Sequence, residues 1–137
     1  MLALDTNALV RLVVEDEEKQ SEKARLIVNG AEKAGERIII LTEVLVETVW
    51  VLESVYKCTR DEIKHFLRTL TQTSVFTFSE PSVIASAILD YGKGADFADS
   101  VIVEDALYHK ARTLFSFDKK LQKRFPGYVV EDIDAPH

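Results

Sequence analysis

Short apolar runs alternate with longer amphipathic stretches along the whole chain. Strand-like runs occur at positions 2–4, 38–41, 75–78, 113–116 and 128–130. Between these runs apolar residues recur at helical spacing, with a capping box at Thr59 and Glu62 and a stop signal at Gly35. Strands that alternate with helices predict an α/β fold with a parallel sheet and helices on both faces.

The predicted helix from Thr42 to about Tyr56 carries apolar residues around nearly its whole circumference, which is typical of a buried helix. Glu43 and Glu47 lie about 40° apart on this helix and form a narrow polar stripe. A buried carboxylate without a partner costs several kcal/mol, so we expect Glu47 to meet a metal ion or a basic group. Glu43, in the first turn, has the alternative of interacting only with the helix dipole.

Length and composition limit the possible classes of protein. The chain has 137 residues, of which 47% are hydrophobic and 29% are charged, so we predict one domain over residues 1–137. The sequence shows neither a membrane span nor a signal peptide, which predicts a cytoplasmic location away from membranes. The formal charge of −6 argues against a nonspecific nucleic-acid coat protein. It does not argue against a nuclease, because metal ions can neutralise a carboxylate cluster.

Acidic residues follow the predicted strands at the places where open α/β sheets bind ligands. Asp5 follows the first strand, Glu43 and Glu47 follow the second, and Asp118 follows the fourth. Taken singly, Asp5 and Asp118 could be helix N-caps, each worth about 1 kcal/mol. Their joint placement favours a shared site.

The helix that begins near residue 97 adds a further candidate, because Asp96 and Asp99 form an i, i+3 pair at its start. Helix phase directs Glu104 and Asp105 roughly 140° and 240° away from Asp99, so we assign those two residues to the solvated side. Carboxylate oxygens without a histidine or cysteine cluster favour Mg²⁺ or Mn²⁺ over zinc.

Four segments resemble, in order, the motifs of PIN-domain proteins, and the likeness is closest to the VapC toxins. They are Leu4-Asp5-Thr6-Asn7, Val46-Glu47-Thr48-Val49-Trp50-Val51-Leu52, Asp96-Phe97-Ala98-Asp99 and Phe115-Ser116-Phe117-Asp118. The resemblance implies a three-layer α/β/α fold with a central, mostly parallel sheet of four to five strands. It also implies a Mg²⁺- or Mn²⁺-dependent endoribonuclease that forms homodimers and is neutralised by a VapB-like antitoxin.

The same resemblance assigns roles to individual residues. Asp5, Glu47 and Asp99 match the metal ligands, and Asp118 matches a fourth acidic residue that is usually a weaker or water-mediated ligand. Asp96 is a secondary candidate, and Glu43 leaves open which glutamate contacts the metal. The positions that orient ligands or water are matched by Asn7 or Thr6, and by Ser116.

Basic residues suggest where RNA could contact the chain. Arg60, Lys64 and Arg68 repeat at helical spacing and form one stripe, although an ordinary solvated helix face is the better explanation of this group. The other candidates are Lys119 and Lys120, which follow Asp118, and Arg11 on the first helix.

Two other functions remain compatible with these patterns. A receiver-like signalling domain also places an acidic Mg²⁺ pocket at strand ends, but it needs an adjacent acidic pair where this chain has Asp5-Thr6-Asn7. A PIN fold that only binds a partner is the other alternative, although all the expected carboxylates are present.

Overall fold

The computed structural model describes residues 1–133, and its helices and strands follow the predicted order. Residues 134–137, the end of the predicted domain, lie outside the described part. The chain divides into two compact units, Met1–Ile84 and Ala85–His137. Each unit contains its own parallel strands.

The first unit combines a parallel sheet with four helices and the start of a fifth. Its strands are β1 (Leu2–Ala3), β2 (Ile38–Ile40) and β3 (Phe76–Phe78). Its helices are α1 (Thr6–Val13), α2 (Glu18–Ala34), α3 (Thr42–Ser54) and α4 (Arg60–Gln72), and α5 (Pro81–Gly92) begins in this unit.

The strands of this unit pair in the order β1-β2-β3. Ile38 pairs with Leu2 on one side and with Phe76 on the other, so β2 is the central strand. Ile38 and Ile40 are fully buried, as is typical of a central strand in a parallel sheet. All the carboxyl ends therefore point to one edge of the sheet.

Helices α1, α2, α3 and α4 pack through their apolar faces. Helix α1 contacts α2 and α3, and α4 contacts α3 and β3. The capping box predicted for α4 is confirmed, since Thr59 Oγ1 accepts from Glu62 N and Glu62 Oε1 accepts from Thr59 N. The buried face of α4 then follows the predicted spacing, with Ile63, Phe66, Leu67 and Leu70.

The prediction that α3 is buried on nearly all sides is wrong. Its buried residues occupy one face: Thr42, Leu45, Thr48, Val49 and Leu52. Trp50 lies outside this face and is 59% exposed. An apolar sequence around a whole helix permits full burial but does not require it, because apolar atoms also make up much of a folded protein's surface.

The second unit contains the end of α5 and four further elements. These are α6 (Phe97–Tyr108), β4 (Leu114–Phe115), α7 (Lys119–Arg124) and β5 (Val129–Val130). β4 and β5 pair in parallel, with Leu114 opposite Val129. Val103, Leu121 and Val129 form a small core that joins α6, α7 and β5.

The α/β class and the parallel pairing are confirmed, but the predicted sheet of four to five strands is wrong. The described residues form one sheet of three strands and one of two. Each strand is only two or three residues long and provides few ladder bonds, so small differences in spacing decide which strands pair. Within residues 1–133, no helix has both the length and the apolar character that crossing a membrane requires.

Candidate functional site

Asp5 lies at the carboxyl end of β1 and caps α1. Its Oδ1 accepts a hydrogen bond from the amide of Ala8 at 2.9 Å. Because Ala3 pairs with Ile39, the same register places Asp5 level with Leu41, the residue before α3. The side chain is exposed, and within residues 1–133 its Oδ2 has no hydrogen-bond partner. One carboxylate oxygen therefore serves the helix, and the other is available to a ligand.

Glu43 and Glu47 both lie on the exposed side of α3. The expectation that Glu47 is buried and needs a charged partner is therefore wrong, for the same reason that Trp50 is exposed. An exposed carboxylate is hydrated by water and carries no such requirement. Its availability to a ligand, rather than its burial, is what keeps Glu47 a candidate.

In the second unit, Asp96, Asp99 and Asp118 are close enough for their charges to interact. Asp96 caps α6, since its Oδ2 accepts from the amide of Asp99 at 3.0 Å. Asp118 caps α7, since its Oδ1 accepts from the amides of Lys120 and Leu121 at 2.9 and 3.2 Å. The alternative role considered for Asp118, a helix N-cap, is thus present, as it is for Asp5.

Asp99 has the most perturbed environment of these three acids. Burial, followed by the negative charges of Asp96 and Asp118, raises the pKa of its carboxyl above the ordinary value. Within the described chain Asp99 has no ion pair. A cation at this point would stabilise the ionised carboxylate that burial and its neighbours disfavour.

The assignment of Glu104 to the solvated side is wrong. Glu104 is half-buried on α6 and faces Asp90 of α5, whose Oδ2 is buried. A hydrogen bond with Asp90, together with burial and the charge of Asp90, raises the pKa of Glu104 to about 7. The angular spacing of residues on α6 correctly placed Glu104 and Asp99 on different sides of the helix. It could not show that α5 packs against the side that carries Glu104. This pair lies on α5 and α6 and belongs to no predicted site.

No group of three or more His, Cys, Asp or Glu side chains that could hold a metal ion occurs among residues 1–133. The interaction of Asp99 with Asp96 and Asp118 does not contradict this, because charges interact over longer distances than those between the ligands of one ion. The donors have the right chemistry for Mg²⁺ or Mn²⁺, as carboxylate oxygens do.

Comparison with known proteins decides the family. The PIN domain family model matches residues 2–126. This chain belongs to the PIN domain family. A relative from Aquifex aeolicus (strain VF5), described as a VapC ribonuclease, is 27% identical over 124 residues, which is 90% of this chain and 91% of the relative. No solved structure matches the chain significantly.

The match excludes the receiver-like alternative and confirms the resemblance of the four motifs to PIN-domain proteins. It covers the positions of all the predicted ligands of the PIN domain, from Asp5 to Asp118. The roles of the individual residues stay predictions.

Arg11 of this PIN domain is engaged inside the first unit. Its guanidinium forms an ion pair with Asp16 at 2.5 Å, and it also donates to Tyr56 Oη at 3.1 Å and Gln20 Oε1 at 2.9 Å. The hydrogen bond with Tyr56, followed by the negative charge of Asp16, raises the pKa of Arg11 above its ordinary value. The Arg11 side chain thus connects the start of α2 with the residues that follow α3. Its contact with RNA stays a prediction.

The other basic candidates differ in their availability. Lys119 forms an ion pair with Glu131, which also accepts from Gln122, and these bonds lower the pKa of Glu131. Lys120 is exposed and has no ion pair with any described residue. On α4, Arg60, Lys64 and Arg68 lie away from the buried face, and Lys64 is 3.6 Å from Asp61. That placement suits a solvated face as well as an RNA contact.

The predicted supporting residues occupy the turns beside the acids. Thr6 and Asn7 begin α1, and Ser116 Oγ accepts from the amide of Asp118 at 3.0 Å. Ser116 therefore positions the start of α7.

A further hydroxyl pair was not predicted. Ser79 Oγ accepts from the amide of Thr42 at 3.1 Å and lies 3.3 Å from its Oγ1, joining the carboxyl ends of β2 and β3. The sequence signal for this contact was that Thr42 and Ser79 are polar residues that follow two predicted strands.

Proposed function

We propose that this PIN domain is an endoribonuclease that depends on Mg²⁺ or Mn²⁺. Its metal ligands are then the carboxylates of Asp5, Glu47, Asp99 and Asp118, with Asp96 as a secondary ligand. Support for the reaction class comes from the family match and from the relative described as a VapC ribonuclease.

The observation that carries the metal proposal is the environment of Asp99. This half-buried carboxyl is near two further carboxylates and has no cationic partner among residues 1–133. Like charges gathered without a counterion destabilise the folded chain. Since Asp118 already gives one oxygen to the α7 cap, it has one oxygen left for a ligand, which suits a weaker or water-mediated contact.

Asp5, Glu47, Asp99 and Asp118 would hold the divalent ion, which would lower the pKa of a bound water and stabilise the leaving oxygen of a phosphodiester. The chain's own residues hold the donors in place. The cap bond from the Ala8 amide fixes the orientation of Asp5, and Ser116 fixes the turn that presents Asp118. Lys120, which is exposed beside Asp118, is the basic residue best placed to neutralise a phosphate.

The biological setting is also part of the proposal. The VapC relative suggests that the substrate is RNA and that a VapB-like antitoxin neutralises this chain. We further propose that it works as a homodimer in the cytoplasm.

The test is cleavage of a mixed RNA pool by metal-free protein to which Mg²⁺ or Mn²⁺ is returned. We expect cleavage only with metal, and a loss of about 100-fold or more in Asp5→Asn and Glu47→Gln, because loss of a ligand exceeds the 10- to 100-fold cost of losing a supporting residue. Circular dichroism checks that both variants fold. Full activity in both folded variants would show that the ligand assignment is wrong.

Glu43→Gln is the matched control for Glu47→Gln, because both residues are exposed on α3 and lie one turn apart. A small loss in Glu43→Gln beside a large loss in Glu47→Gln identifies Glu47 as the ligand. The reverse result assigns the metal contact to Glu43 instead. No cleavage by the wild-type chain under any condition would favour a PIN fold that only binds a partner.

A further inference from the structure

Two phenylalanines are exposed together at the turn between β4 and α7. Phe115 is 45% exposed and Phe117 is 76% exposed. Their ring centroids are 4.9 Å apart and the rings meet edge to face, at 80°. Full burial of one such side chain is worth about 1.5–3 kcal/mol, so two adjacent exposed rings forgo a considerable stabilisation. What distinguishes this pair from the other exposed apolar side chains is that its two rings contact each other in the segment that leads to Asp118.

The turn that carries these rings is held by its own hydrogen bonds. Ser116, between the two phenylalanines, accepts from the amide of Asp118, and its own amide donates to Val130 O at 2.9 Å. An edge-to-face contact covers at most one face of a ring. Phe117, with three-quarters of its side chain exposed, consequently keeps at least one open face in a fixed place.

One basic residue near Phe117 in the sequence is available to a nucleic-acid phosphate. The next residue is Asp118, whose charge reaches Asp99, and the following two residues are Lys119 and Lys120. Lys119 is neutralised by Glu131, whereas Lys120 is exposed and unpaired among the described side chains. An open aromatic face beside a basic residue is the combination by which proteins hold unpaired nucleotides.

We propose that Phe117 stacks on an unpaired base of the substrate RNA next to the phosphate that is cleaved, while Phe115 holds the Phe117 ring in position. The proposal rests on RNA being the substrate. In a duplex both faces of a base are already stacked, so the contact selects single-stranded or looped positions. Because every base has a stacking face, it selects unpaired structure more than sequence.

The test measures binding of a short single-stranded RNA that contains 2-aminopurine, whose fluorescence falls when the base stacks. Asp5→Asn protein with Mg²⁺ is used so that the RNA stays intact. We expect quenching with this protein and roughly 10-fold weaker binding, with the quenching lost, when Phe117→Leu is added. Phe117→Tyr, which keeps the ring, should restore both signals. Binding of a blunt RNA duplex should not change.

Tyr108→Leu is the matched control, since Tyr108 is an exposed aromatic residue at the other end of α6, 63% exposed and nine positions from Asp99. An equal loss in this variant, unchanged binding by Phe117→Leu, or no binding of the RNA by the starting protein overturns the proposal. So does a change of oligomeric state in Phe117→Leu, measured by sedimentation, because the rings would then cover a second copy of the chain.

The outcomes also separate this proposal from the proposed function. Metal-dependent cleavage that is equal in wild type and Phe117→Leu means that the enzyme assignment holds and stacking is wrong. Ring-dependent quenching by a chain that never cleaves RNA means that stacking holds and the nuclease assignment is wrong.

Discussion

Helix α6 carries two acidic groups that accommodate like charges in different ways. Near its start, Asp99 lies beside Asp96 and Asp118, and burial comes first among the causes that raise its pKa. One and a half turns later, Glu104 faces Asp90, and a hydrogen bond between the two carboxyls comes first. In the second group Glu104 takes up a proton more readily, since its pKa is raised to about 7, and the protonated form relieves the repulsion. In the first group, Asp99 has no ion pair with any residue of the described range 1–133.

The comparison shows that a raised pKa alone does not mark a functional site. Glu104 has the larger shift, to about 7, yet it lies between two helices. The pKa of Asp99 is shifted less, but its charge interacts with that of Asp118, which follows β4. Place in the fold and the absence of an internal partner, rather than the size of the shift, distinguish the two.

The largest expected effect is stabilisation by metal at the first group. Mn²⁺ at a hundred times its Kd should stabilise the wild-type chain by about 2.7 kcal/mol. For a chain of this size that raises Tm by roughly 8 °C in a thermal melt. Asp99→Asn should lose most of this rise, and without metal it should melt slightly above wild type because a repulsive charge is gone.

Glu22→Gln is the control for that melt, since Glu22 is an exposed acid on α2. It should keep the full metal response. Equal stabilisation of Asp99→Asn and wild type by Mn²⁺ would place the metal elsewhere, and the contrast between the two acidic groups of α6 would disappear.

The second expected effect concerns pH and Glu104. Because its pKa rises from 4.5 in the unfolded chain to about 7 in the folded one, the folded state holds a proton that the unfolded state loses. Stability therefore falls as pH rises from about 4.5 to 7, and the loss is complete above 7. Glu104→Gln stays neutral and keeps a donor for Asp90, so it should be more stable than wild type at pH 8.

After allowance for solvent screening of a half-exposed group, the gain at pH 8 is about 1 kcal/mol, or roughly 3 °C in Tm. At pH 4 the two proteins should melt together. A Glu104→Gln variant that is less stable than wild type at pH 8 would mean that the pair is held by a buried charge rather than by a shared proton.

The smallest expected effect separates the two roles of Asp118. Asp118→Ala removes the oxygen that accepts from Lys120 and Leu121 and should cost about 1 kcal/mol. Asp118→Asn keeps that oxygen and should cost only a few tenths, measured by urea unfolding without metal. Both variants should weaken the Mn²⁺ response. Equal stability of the Ala and Asn variants would contradict the capping role.

Most of the fold could be predicted because its signals are local. The capping box of Thr59 and Glu62, the stop at Gly35 and the β-branched run of β2 each depend on neighbouring residues alone. The division of five strands into three and two could not be predicted. It depends on hydrogen bonds between segments far apart in sequence, made by strands of two or three residues.

The errors in the site came from the same limit. Helix phase gave the correct relation between Asp99 and Glu104, but it could not show which helix packs on each side. Because apolar residues surround α3, we expected Glu47 to be buried. In the structure only one face of α3 is buried, and Glu47 lies on the exposed side. The motifs still predicted the correct family, because the types and order of residues identify a family even where their burial is predicted wrongly.

The cap bonds of Asp5 and Asp118 also bear on how such a protein evolves. Asparagine caps a helix as well as aspartate does, and a single nucleotide change exchanges the two. A lineage can therefore discard the charge on which catalysis would depend while the fold, and any surface recognised by a partner, persists. Inactive descendants of a nuclease of this kind should thus arise by one mutational step, already folded and able to bind a partner.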